Sequence, residues 1–121
     1  MADELTERVI GAAIEVHRVL GSGLLESIYE EALCHEFSLQ NISFQRQLAV
    51  DVVYKDKIIQ GQRLDIVVFG EIVVEIKSVG NLTEAVTAQL LSYLKATGLK
   101  RGLIINFGAR RLIDGIKRIS L

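Results

Sequence analysis

The chain has no proline, no tryptophan and one cysteine in 121 residues, and aromatic side chains make up 6% of it. With 10 glycines and no proline, a collagen-like repeat is excluded, and 50% hydrophobic against 24% charged residues excludes a disordered chain; a coiled coil goes with them. Cys34 has no partner for an internal disulfide, and Met1-Ala2-Asp3-Glu4 lacks the basic and apolar regions of a signal peptide. The expected address is therefore a reducing cytoplasm. No apolar run approaches the ~20 residues of a membrane span. What remains is one domain over residues 1–121, long enough to bury a core without covalent staples.

Net charge is only -1, but the distribution is uneven. Residues 1–41 carry eight acids against two arginines, and residues 100–121 carry Lys100, Arg101, Arg110, Arg111, Lys117 and Arg118 against Asp114 alone. Each of these charges could be ordinary solvated surface. Together the basic third is a candidate grip for phosphates.

Apolar residues at Leu5, Val9, Ala12, Ala13, Val16, Val19 and Leu20 keep the spacing of one helical stripe and predict a helix over Asp3 to Leu20. Gly21-Ser22-Gly23 interrupts it, and Leu25, Ile28, Tyr29, Ala32, Leu33 and Phe37 set up a second helix. After Asn41 the period changes to two, predicting strands at Phe44 to Tyr54, Gln62 to Phe69, Glu71 to Ser78 and Arg101 to Phe107. Asn81 to Thr97, with Asn81 as cap and Gly98 as stop, predicts a crossover helix between the last two. Arg110 to Ile119 reads as a terminal strand, although its apolar spacing also suits a short helix. The expected order is ααβββαββ in a single α/β domain.

Two charges, Glu75 and Lys77, enter a strand otherwise built for a core, and alternation puts both on one face. A three-residue loop Phe69-Gly70-Glu71 would pair Val68 with Ile72 and set Asp65 directly across from Glu75; a two-residue loop would turn Asp65 to the other face. Opposed carboxylates repel, so Lys77, a shared proton or a divalent cation must offset them. An edge-strand ion network of Asp65, Glu75, Lys77 and Arg63 facing solvent fits the same spacing.

In the third helix, Gln89 falls inside the stripe of Val86, Leu90, Tyr93 and Leu94. It would either bond a nearby backbone or face the carboxylates. Glu26 borders the buried stripe of the second helix and wants a cation there; equally, it is a first-turn acid favoured by the helix dipole, with Ser22 or Gly23 as cap. His17, His35 and Cys34 have neither metal-ligand spacing nor a nucleophile's companions. There is no phosphate-binding glycine loop and no acyl-transfer triad.

Gly23-x-x-Glu26-x-x-Tyr29, Arg63-x-Asp65, Glu75-x-Lys77, Gln89-x-x-x-Tyr93 and the Gly102-Leu103-Ile104-Ile105-Asn106-Phe107-Gly108 strand, in this order, resemble the GxxExxY family, a branch of the PD-(D/E)xK nuclease-like superfamily. The resemblance implies a restriction-endonuclease-like fold, a mixed central sheet flanked by helices, and a divalent cation, Mg²⁺ or Mn²⁺. Asp65 and Glu75 would be its ligands with Glu26 completing the acidic cluster, Lys77 would assist the attacking water, and Gln89 would stand beside the lysine, with Tyr29 and Tyr93 behind them. Leu64 replaces the proline usual before the aspartate.

Three functions are thereby expected, in this order. The first is a metal-dependent phosphodiesterase acting on DNA or RNA. The second is a non-catalytic module that keeps the fold and binds nucleic acid or protein through the basic third; a homo-oligomer would extend its small surface. The third is a purely structural ion network.

Overall fold

Asp3 opens the first helix by accepting the Thr6 backbone N–H and the Thr6 hydroxyl, each at 2.7 Å, and α1 then runs Glu4–Leu20. The computed structural model describes residues 3–121; Met1 and Ala2, part of the domain expected over 1–121, lie outside the described residues. The other elements are α2 Glu26–Leu39, β1 Phe44–Tyr54, β2 Lys57–Val68, β3 Ile72–Lys77, α3 Glu84–Thr97, β4 Arg101–Asn106, a 3₁₀ turn at Leu112–Gly115 and β5 Ile116–Ser120. The order is the expected ααβββαββ.

The five strands lie in the sheet order β1-β2-β3-β4-β5. All neighbours are antiparallel except β3 and β4, which α3 joins as a parallel crossover. Strand alternation divides the core in two. Ile66, Val68, Ile72, Val74, Ile76, Leu103, Ile105 and Phe107 pack under α1 and α2. Val50, Leu64, Val67, Val73 and Ile104 pack under Leu90, Tyr93 and Leu94 of α3. This is the restriction-endonuclease-like α+β architecture, a mixed sheet with helices on both faces.

Several boundaries differ from expectation. β2 begins at Lys57 rather than Gln62, because Lys55 and Asp56 adopt φ of 47° and 71° and close a tight two-residue hairpin. Thr83, not Asn81, is the N-cap of α3, and Leu25, not Ser22 or Gly23, is the N-cap of α2; neither cap makes a side-chain hydrogen bond. The C-terminal segment is first a 3₁₀ turn and only then a strand, so both readings of its apolar spacing occur in succession. No described helix is long and apolar enough to cross a membrane.

Candidate functional site

The turn Phe69-Gly70-Glu71 has three residues, and Val68 pairs with Ile72, Val67 with Val73 and Ile66 with Val74. The next rung in this register is Asp65 opposite Glu75, as expected from the sequence. There the main-chain ladder stops, and Asp65 Oδ2 accepts the Ile76 N–H at 2.9 Å in its place. A side-chain oxygen takes the place of a main-chain carbonyl.

The replacement has a backbone cause. Leu64 and Val67 both join the core under α3, whereas Ile66 and Val68 face α1 and α2, so the alternation of β2 breaks at Asp65. The partner strand breaks at the same rung: Phe44 packs on the α1/α2 side, but Leu48 and Val50 pack on the α3 side. Between them stands Gln47, at φ 51°, a left-handed conformation that a non-glycine residue adopts at a cost of about 1–2 kcal/mol. Its Nε2 donates to both Glu30 carboxylate oxygens, at 3.0 and 3.2 Å, and Arg46 grips Glu30 Oε2 through Nη2 at 2.7 Å and Nε at 3.1 Å. Glu30, Arg46 and Gln47 are not among the site residues expected from the sequence. The available signal was Glu30 itself, a carboxylate in step with Leu33 and Phe37 that is buried at 8% exposure.

Glu75 is 4% exposed, and its Oε1 is buried without a hydrogen-bond partner among the described residues. Burial first and the Asp65 charge second push its carboxyl up to about 8, against the opposing pull of Lys77 and the Asp65 backbone amide. Asp65 is also raised, chiefly by burial, with Glu30 and Glu26 adding to the rise and the Ile76 N–H and Lys77 opposing it. Tyr93 is raised by burial and then by Glu75 and Asp65, which sets its hydroxyl within their field. Among the described residues, neither Asp65, Glu75 nor Lys77 forms an ion pair. β2 and β3 are interior strands, so the solvent-facing edge network is overturned.

Two expectations need correction. Gln89 is exposed rather than buried in the helix stripe; its Nε2 donates to the Tyr93 hydroxyl at 2.9 Å, and Tyr93 is the buried member of the pair. Glu26 is exposed at the first turn of α2 and reaches Asp65 and Glu75 only as a long-range charge. Among the described residues no three His, Cys, Asp or Glu side chains gather closely enough to hold one ion, so Glu26 does not complete a three-carboxylate cluster here.

The Gly23-x-x-Glu26-x-x-Tyr29 motif acquires a structural meaning. Gly23 turns the loop at φ 103°, and Tyr29 reaches back from α2 to donate to the Gly21 carbonyl at 2.5 Å and accept the Leu24 N–H at 3.2 Å. Its ring, fully buried, stacks on Phe107 at 4.4 Å. Tyr29 thus clasps the loop that presents Glu26.

Two residues of the basic third, Arg101 and Arg118, are engaged with acids. Arg101 pairs with Asp3 at 2.7 Å and Glu71 at 3.6 Å, and Arg118 with Glu7 at 2.7 Å. Arg101 sits beside Ile72 and Asn106 beside Lys77, which separates Arg101 from the lysine by roughly 16 Å along the strands. The acidic front and the basic tail partly neutralise each other.

A family model described as the PD-(D/E)XK nuclease superfamily matches residues 3–119. The chain belongs to the PD-(D/E)XK nuclease superfamily. No curated protein and no solved structure matches it significantly.

Proposed function

We propose that this protein is a metal-dependent nuclease of the GxxExxY branch, hydrolysing phosphodiester bonds of DNA or RNA. The observation that carries the reading is Glu75: a carboxylate buried beside Asp65 that, among the described residues, forms no ion pair and has an oxygen that meets no donor. Two such carboxylates are stable together only with a shared proton or a cation. Oxygen donors of this kind suit Mg²⁺ or Mn²⁺, so the residues present fit the ion the superfamily implies.

Asp65 and Glu75 would hold the cation, with Glu26 adding negative potential or, on approach, a further oxygen. When bound, the ion supplies a Lewis acid for a phosphoryl oxygen and lowers the pKa of a bound water. Lys77, on the Glu75 face of β3, orients the attacking water and offsets negative charge growing on the phosphoryl oxygens. Gln89 and Tyr93 present amide and hydroxyl donors from α3. Asp65 is fixed for this role by the Ile76 N–H.

The second reading, a non-catalytic binding module, would rely on Lys100, Arg110, Arg111 and Lys117 of the basic third, since Arg101 and Arg118 are engaged with acids. The deciding experiment is cleavage of single- and double-stranded DNA and RNA with Mg²⁺, Mn²⁺ or chelator, comparing the wild type with Lys77→Ala. Metal-dependent cleavage that Lys77→Ala abolishes supports the enzyme. Binding without cleavage by the wild type under either metal favours the module.

A further inference from the structure

The parallel pairing of β3 and β4 ends on the rung Lys77–Asn106, and the Phe107 N–H donates to the Lys77 carbonyl at 2.8 Å. Beyond this rung a strand would ordinarily fray. Here the Asn106 side chain, 4% exposed, takes over. Its Oδ1 accepts the Val79 N–H and the Gly108 N–H, both at 3.0 Å, and its Nδ2 donates to the Val79 carbonyl at 3.0 Å. One side-chain amide therefore fastens the segment after Lys77 to the segment after β4.

The fit leaves no slack. A Cβ on Gly108 would overlap the Val79 backbone, so the chain can approach this closely only with glycine there. Ser78, between Lys77 and Val79, donates its hydroxyl to the Leu24 carbonyl at 2.6 Å, in the loop that leads to Glu26. A buried amide is costly to desolvate, and this one makes its three bonds to main-chain groups around the candidate lysine.

We propose that Asn106 is a positioning residue for Lys77. The assignment rests on the nuclease reading for its functional consequence. The lysine side chain has four rotatable carbons, so where its ammonium sits depends on where its backbone is held. Phe107 holds Lys77 from one side and the Asn106–Val79 clamp holds it from the other.

The test compares Asn106→Ala and Asn106→Asp with Ile119→Ala, a core variant at the distant end of β4 and β5. Asn106→Ala should lower kcat by roughly tenfold to a hundredfold with KM held within about twofold, the signature of a misplaced reacting group. Asn106→Asp, which retains the two accepting contacts but turns a carboxylate oxygen on the Val79 carbonyl in place of the donating amide, should lower kcat as well. Ile119→Ala should lower the melting temperature without lowering kcat. In the same proteins the Lys77 ¹³Cε resonance should shift, and the Val79 and Gly108 amides should exchange faster, only in the Asn106 variants. Wild-type kcat in Asn106→Ala, a loss no greater than that of Ile119→Ala, or an unmoved Lys77 resonance would overturn the proposal. Should Asn106→Ala not fold, Asn106→Asp carries the same readouts. A wild type that cleaves nothing would sink the nuclease reading, while the Lys77 resonance and the two amides would still decide whether the clamp holds the lysine.

Discussion

The Asp65 carboxylate accepts the Ile76 N–H at 2.9 Å, the bond that a continuing β2–β3 ladder would have made through a carbonyl. The candidate acid is thus also a structural acceptor. Asp65→Asn keeps an oxygen for Ile76 and should abolish cleavage with little change in stability. Asp65→Ala also strands a backbone donor and should cost about 1–3 kcal/mol in addition. Urea denaturation beside the cleavage assay separates the two effects; equal stability for both variants would contradict this account.

Stability should depend on pH through the buried carboxylates. Folding raises Glu75 from 4.5 to about 8 and raises Asp65 in the same direction, so the folded state holds protons that the unfolded state releases. That contribution is complete below the unfolded values and is lost as pH rises towards about 8. Without divalent cation the melting temperature should fall across this window. Mg²⁺ should restore it at the alkaline end, and Glu75→Gln should flatten both responses. Calorimetry at stepped pH, with and without Mg²⁺, reads all three.

Gln47 offers a test of the splayed rung. At φ 51° a β-branched side chain is strained, so Gln47→Val should destabilise by about 2 kcal/mol or more, losing its bonds to Glu30 as well. Gln47→Gly loses the same bonds but tolerates the backbone, and should be the milder change. If valine proved as stable as glycine, the left-handed conformation would have no energetic weight.

The paired arginines should matter little for nucleic acid. Arg101→Ala and Arg118→Ala remove half-exposed ion pairs worth about 0–1 kcal/mol each, away from Lys77. The salt dependence of binding should keep its wild-type slope in the double variant. A shallower slope, measured by titration at stepped salt, would put these residues in contact with phosphate.

The sequence by itself determined the order of elements and that Asp65 faces Glu75 if the turn between them has three residues, because apolar periodicity and strand alternation are local properties; the structure decided that turn length. The sequence could not show that β1 and β2 reverse faces at Gln47 and Asp65, since that break depends on Glu30 and Arg46 reaching over from α2 and β1. Helical spacing placed Gln89 in the buried stripe, yet how far a helix is covered depends on what packs over it, and α3 leaves Gln89 open while covering Tyr93. The two charged ends of the chain are plain in the sequence. That Asp3 and Glu7 meet Arg101 and Arg118 was decided only by the tertiary structure, which brings α1 alongside the far end of the sheet and satisfies there the charges that composition alone would have offered to a ligand.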